Sequence, residues 1–261
     1  MFFMITSTSN TQVKNLAQLK KKAKVRKAQN IYMVEGIKMF LEAPEEQVEK
    51  IYVSDSFVKE SAHKAILKDR AYEILSDTVF SYVSDTRTPQ GILCLVKMQN
   101  YTLENVLQEK NGVWLILEGI QDPGNLGTMF RTGEGAGISG VIMDGETVDI
   151  YNPKTIRSTM GSIYRIPFYI TDDLSDTVRR MKESGISIYA AHLEGSVCYD
   201  MPDYSGASAF LIGNEGNGLT KETAELAGTY IRIPMQGKLE SLNAAMAAGL
   251  LMYETNRQRR I

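Results

Sequence analysis

Along this chain short apolar runs alternate with amphipathic stretches of helical period, and the alternation continues from one end to the other. In the first hundred residues the runs at 31–34, 50–53, 72–75 and 92–96 read as strands. Between them, 15–28 reads as a single basic helix, with further helices starting at Ile37 and near 58–67 and 78–83. Polar residues from Lys97 to Lys110 read as a linker before the apolar run 113–117. Beyond it the βα rhythm is more regular. Leu126, Met129 and Phe130 share a helical face with Gly137 as its stop, and a strand follows at 140–143. Asn152 and Pro153 form an N-cap pair ahead of a stripe of Ile156, Met160, Ile163 and Tyr164. Strands are expected at 166–170, 186–190 and 209–212, a helix at 174–183, and a closing helix from about Ser241 to Arg259. Such alternation predicts an α/β chain whose parallel sheet is covered on both faces. Its expected divisions are 1–98, a linker at 99–111, and 112–261.

Two late stretches organise the chemistry. The run ending at Leu211 and Ile212 enters Gly213-Asn214-Glu215-Gly216-Asn217-Gly218, and the run 231–235 leads to Glu240-Ser241-Leu242-Asn243. Ligands of open parallel sheets bind beyond the carboxyl ends of strands, so these two strand ends are expected to be adjacent, as floor and wall of one pocket.

Composition narrows the class. The chain has 261 residues, enough for one large domain or two ordinary ones, and its net charge of -2 advertises no polycation. The charge is uneven, however: residues 1–34 carry Lys14, Lys20, Lys21, Lys22, Lys24, Arg26 and Lys27 and no acid. Cys94 and Cys198 lie far apart in apolar surroundings, which fits reduced thiols and a cytoplasmic setting. The opening Met1 to Ile5 is too short for a signal segment, and no apolar run approaches membrane length.

Several chemistries fall away. The glycines at 133, 135 and 137 miss the dinucleotide spacing because position 138 is Ile138, and residues 213–218 lack the ending of a phosphate loop. His63 and His192, the only histidines, have no ligand at metal spacing, and no serine-hydrolase elbow is present. No metal is expected. Arg131 sits in an otherwise apolar, small-residue helix, where a structural salt bridge and a functional role weigh equally. The basic N-terminal segment is either a solvated face or a phosphate contact, with seven cations and no acid shifting the balance toward phosphate.

Taken together, Glu118-Gly119-Ile120-Gln121-Asp122-Pro123-Gly124-Asn125-Leu126-Gly127 through Arg131, then residues 212–219, then Ile233-Pro234-Met235 through Ser241-Leu242-Asn243 resemble the three motifs of SpoU-type (TrmH-like) RNA ribose 2′-O-methyltransferases of the SPOUT superfamily. The first hundred residues are similar to the family's L30e-like substrate-binding domain, through residues 5–7, 10–14, 26–36 and 88–91. The resemblance implies a deep trefoil knot in the C-terminal domain and a homodimer whose site is completed near the subunit interface. It implies S-adenosylmethionine as cofactor, held by Ala191, Leu193, Gly195, Ile212, Gly213, Asn214, Gly216, Ile233, Met235 and Leu242. It assigns the reaction to Arg131, with Asn125, Glu215, Ser241 and Asn243 orienting loops and substrate. RNA would meet Lys20, Lys21, Lys22, Lys24, Arg26 and Lys27. Ribosomal RNA of the 23S type is the expected substrate, because tRNA-acting relatives often use helical extensions in place of this N-terminal domain. The alternatives are a tRNA enzyme, a non-catalytic RNA-binding relative and, more distantly, a small-molecule or protein methyltransferase. Two departures stand out: Ala244-Ala245-Met246 replaces the common Val-Ser-Val, and Gly133 and Gly135 stand where alanine is frequent.

Overall fold

The computed structural model describes residues 4–63, 65–193 and 197–260, which form two compact units. The first comprises residues 1–99 and 149–164, the second 100–148 and 165–261.

In the first unit the elements are β1 (Met4–Ile5), α1 (Thr11–Lys21), α2 (Ala23–Gln29), β2 (Ile31–Glu35), α3 (Ile37–Glu42), β3 (Val48–Ser54), α4 (Asp55–Lys59), β4 (Glu73–Leu75), α5 (Asp77–Val83) and β5 (Ile92–Lys97). The five strands form a mixed sheet in the order β1-β4-β3-β5-β2. Val13, Leu16 and Leu19 of α1 pack with Val79, Phe80 and Val83 of α5 in its core. The single basic helix expected at 15–28 is two helices, because Lys22 is extended at φ -122°, ψ 109°. Arg26 makes the break possible by donating to the carbonyl of Leu19 at 2.6 Å, which satisfies the C-terminal end of α1. The helix expected at 58–67 also fails. Ser54 caps a shorter α4 one turn earlier, which buries Phe57, and a 3-10 turn at Ser61–His63 stacks the His63 ring on Phe57 at 3.8 Å.

The second unit starts inside the expected linker. Thr102 and Asn105 form a capping box around α6 (Leu103–Val106), and Trp114 Nε1 donates to the Val106 carbonyl at 2.9 Å. Then follow β6 (Val113–Leu117), α7 (Pro123–Ala136) and β7 (Gly140–Asp144). The next helix, α8 (Pro153–Thr159), belongs to the first unit with the rest of 149–164. Asp149 pairs with Arg26, the Tyr151 ring lies 4.7 Å from that of the fully buried Tyr32, and Tyr164 Oη donates to the Met39 carbonyl. The expected stripe through Met160 is broken there: Met160 adopts the left-handed conformation at φ 52°, ends α8 and is exposed.

The second unit resumes with β8 (Phe168–Thr171), α9 (Leu174–Glu183), β9 (Ser187–Ala191), β10 (Val197–Cys198), β11 (Ser208–Ile212), α10 (Lys221–Glu225), β12 (Thr229–Arg232) and α11 (Ala244–Arg259). All seven strands are parallel, in the order β10-β12-β9-β11-β6-β7-β8. β6 and β11 are buried at every position, which explains their unbroken apolar runs. The chain builds β6, β7 and β8 outward to one edge, then crosses to the other side of β6 for its remaining strands. That reversal is the topological switch point of the sheet. Cys94 is buried, which pushes its thiol up to about 12, and it and Cys198 are free thiols. Among the described residues no helix is long and apolar enough to cross a membrane.

Candidate functional site

A cavity of about 1150 Å³ opens beyond the carboxyl ends of β11, β9 and β12 in the second unit. The pocket expected between two adjacent strands differs in one respect. β9 lies between β11 and β12 and pairs with both, so its own end at Ala191, His192 and Leu193 forms a third side. Strand order is a property of the threading that no local pattern records.

Ala191, Leu193, Ile212, Gly213, Asn214, Gly216, Ile233, Met235 and Leu242 all border this cavity, as do Glu215 and Ser241. Gly195 lies outside the described residues. Asn125, Arg131 and Asn243 do not line it.

Glu215 is the hub of the loops. Its carboxylate accepts from the backbone N–H of Gln121 at 3.0 Å, the N–H of Asp122 at 3.1 Å and Asn125 Nδ2 at 2.9 Å. Asn125 Oδ1 in turn accepts from Asn243 Nδ2 at 2.9 Å, and Asn243 Oδ1 caps α11 through the N–H groups of Ala245 and Met246. One continuous polar relay thus joins the starts of α7 and α11 to the loop after β11. Partial burial pushes the Glu215 carboxyl up, but the donated hydrogen bonds from Asn125, Gln121 and Asp122 outweigh it and hold the group below its usual value. A lowered carboxyl contributes stability above its unfolded pKa, near 4.3 for glutamate, and loses it as pH falls through the folded value. The melting-temperature difference between wild type and Glu215→Gln should therefore be largest at neutral pH and shrink in acid below that range. A difference independent of pH would contradict the relay.

Three further groups have structural partners that residue type alone did not disclose. Glu118 accepts from Thr220 N and Oγ1 and from Thr223 Oγ1, which fastens the end of β6 to the start of α10. Asp144, at the end of β7, accepts from the N–H of Gly119 at 2.9 Å and from Thr147 N and Oγ1. The Gly119 carbonyl accepts from Asn214 Nδ2 at 2.7 Å, and Asn214 Oδ1 accepts from Gly216 N and Asn217 N. The available signal was position: Glu118 and Asp144 each end a buried strand with a carboxylate.

Arg131 lies on the exposed side of α7, and no carboxylate among the described residues pairs with it. Glu134, one turn on, is engaged by Arg165. The salt-bridge reading of Arg131 therefore fails. Of the two unusual glycines of this helix, Gly133 has a local reason, since a Cβ there would stand 2.5 Å from Ile138 Cδ1, whereas one on Gly135 would stand 3.1 Å from Tyr253 Oη, the tip of an exposed side chain that can yield. Ala245, at one of the other departures, is buried, whereas Met246 is exposed.

Of the N-terminal cations, Lys21, Lys22, Lys24 and Lys27 are exposed. Arg26 departs from the expected RNA contact: it is 3% exposed, and its guanidinium is spent on Asp149 at 2.5 Å and on the Leu19 carbonyl. Lys20 is half-buried, with Nζ donating to the carbonyls of Tyr82 and Ser84, and burial lowers its pKa. Among the described residues no cluster of potential metal ligands occurs.

The SpoU rRNA Methylase family matches residues 112–253, and an MRM3-like substrate binding domain matches residues 10–94. The chain is 34% identical over 256 residues to the 23S rRNA (guanosine(2553)-2′-O)-methyltransferase RlmP of Bacillus subtilis, covering 95% of this chain and 97% of that one. Its structure is similar to that of an AdoMet-bound rRNA methyltransferase from Sinorhizobium meliloti, with TM-score 0.85, 32% identity and 98% of each chain covered. The AdoMet complex of AviRb from Streptomyces viridochromogenes shares the fold at TM-score 0.88 and 24% identity, over 96% of this chain and 98% of that one. With that match over residues 112–253 and that likeness along nearly its whole length, the chain belongs to the SpoU rRNA methylase family.

Proposed function

We propose that this protein transfers a methyl group from S-adenosylmethionine to a ribose 2′-hydroxyl of ribosomal RNA, with the 23S-type molecule as the substrate class. The observation that carries the reading is the cavity at the carboxyl ends of β11, β9 and β12 together with the Glu215-Asn125-Asn243 relay beside it. The cavity fits a nucleoside-type cofactor. Its apolar walls, Ile212, Ile233 and Leu242, suit a purine face, and its glycine-rich backbone offers amide and carbonyl groups where side chains would intrude. Bound there, the cofactor supplies a sulfonium methyl; transfer forms the O2′–CH3 bond, breaks S–CH3 and releases the hydroxyl proton.

The residues of this chain do the holding. Glu215, fixed by three donors, keeps the loop after β11 and the start of α7 in register, and Asn125 and Asn243 hold the first turns of α7 and α11 together. Ser241 borders the cavity beside Leu242, within the polar wall. Arg131 presents an exposed planar guanidinium, so its role is to hold the RNA phosphate and stabilise the developing alkoxide. Alignment of this kind is the main requirement of an in-line methyl transfer.

A homodimer and a knotted C-terminal segment belong to the same reading. Met246, Leu250 and Tyr253 expose an apolar stripe along α11, which packs on the helix that bears Arg131. That stripe supports a second copy seated close to Arg131, and a cytoplasmic placement follows from the substrate. The test is calorimetric titration of S-adenosylmethionine into wild type and Arg131→Ala, paired with a methyl-transfer assay. Both proteins should bind the cofactor alike while the variant loses transfer. Absence of cofactor binding by the wild type would refute the proposal.

A further inference from the structure

Helix α5 buries Val79, Phe80 and Val83 and turns Tyr82 the other way, with 52% of its surface exposed. Among the described large apolar residues of the first unit, the others exposed to a similar degree are Met4, Leu41 and Met160, none of them aromatic. The surroundings of Tyr82 are built. Lys20 Nζ donates to the carbonyls of Tyr82 at 3.1 Å and Ser84 at 2.8 Å, which joins the last turns of α1 and α5 and leaves Lys21 and Lys22 exposed beside them. The loop after α5 is held from beneath by the buried Glu35, whose carboxylate accepts from Ser84 Oγ at 2.5 Å, Thr86 Oγ1 at 2.7 Å and Asp85 N at 2.9 Å. Asp85 is paired with Arg157. The acids of this edge are thus committed inward or to a partner, while Arg87, next on the same loop, is exposed.

We infer that Tyr82, on the helix that Lys20 ties to the end of α1, is a stacking platform for one unpaired base of the RNA, an inference that rests on the RNA reading above. An exposed ring offers a base face, and the adjoining segments, the end of α1 with Lys21 and Lys22 and the loop with Arg87, carry exposed cations for the phosphates. A paired base offers no free face, so the partner is a single-stranded or loop segment. An acidic peptide would use the cations and leave the ring without a role, which makes it the less suited occupant.

The test uses the full chain and two probes: a fluorescein-labelled RNA strand of mixed sequence, and the same strand annealed to its complement. Fluorescence anisotropy should show Tyr82→Ala binding the single strand about fivefold or more weakly, the lower end of the loss on removing a base–aromatic stack, with Tyr82→Phe close to wild type. Both variants should bind the duplex as wild type does. Substituting 5-iodouridine in the single strand should give a photo-crosslink at residue 82 in wild type and the phenylalanine variant. Equal binding of the single strand by Tyr82→Ala and wild type would overturn the platform, as would equal losses on both probes or a phenylalanine variant as weak as alanine. Wild type that binds neither probe would instead overturn the RNA reading itself, and the platform with it.

Discussion

Gly213→Ala is expected to lower the melting temperature and to weaken S-adenosylmethionine binding together. A Cβ on Gly213 would lie 2.1 Å from the carbonyl carbon of Gly218, 2.2 Å from the nitrogen of Leu219 and 2.4 Å from the oxygen of Gly218. All three are backbone atoms, so no rotamer change relieves the overlap. The segment that must move borders the cavity, and Gly218 closes its turn by two backbone hydrogen bonds with Asn214. Overpacking of this kind costs about 1–3 kcal/mol and occasionally more, and backbone atoms on the far side put this case near or above the upper figure. The same displacement reshapes the cavity floor, and even ~1.4 kcal/mol of it appearing in binding is a tenfold loss of affinity. Gly145→Ala is the control, because a Cβ there meets nothing within 4 Å. Thermal unfolding and calorimetry on both variants check the expectation. Wild-type stability and affinity in Gly213→Ala would mean that the loop does not pack as described.

Arg26→Ala separates two readings of the basic N-terminal segment. The guanidinium is buried, bonded to Asp149 through Nε and Nη2 and to the Leu19 carbonyl through Nη1. Removing the guanidinium leaves the Leu19 carbonyl and the partly exposed Asp149 without their donor, which costs about 1–3 kcal/mol. Lysine should not rescue the loss, since it lacks the planar fork that serves carboxylate and carbonyl at once. Lys24→Ala, on the exposed side of α2, should stay within about 0.5 kcal/mol of wild type. Urea unfolding of the three variants measures this. An Arg26→Ala protein as stable as Lys24→Ala, but weaker for RNA, would return Arg26 to the RNA surface.

The inner strands of the second sheet are legible because a parallel strand buried on both faces is an unbroken apolar run, as at Val113 to Leu117 and Ala209 to Ile212, whereas the two-residue, half-buried edge strand β10 carries no such run. The carboxylate and amides after the second of these runs stand at the cavity, as expected of polar groups at a strand end. What stays hidden depends on side-chain contacts that residue type and periodicity do not record. Nothing local breaks the helix at Lys22, which is neither glycine nor proline; the side chain of Arg26 replaces the missing helical partner of Leu19. The linker reading missed α6 because its Leu103 and Val106 gain meaning only against Trp114 and Gly140. The position of β9 between β11 and β12, and the pairing of Asn125 with Glu215, follow from threading that sequence spacing does not encode. Arg131 is the opposite case: an arginine out of place in a small-residue helix leaves a salt bridge and a functional role equally weighted, and the structure shows it exposed with no carboxylate partner among the described residues.

The central claim is tested most directly by transfer of labelled methyl from S-adenosylmethionine to total RNA from a strain lacking this protein, for wild type and Arg131→Ala, with nuclease mapping of the product. The expected result is label on one ribose 2′-oxygen of the large ribosomal RNA with wild type and none with the variant. Label on a base, on tRNA alone, or equally with both proteins would contradict the account.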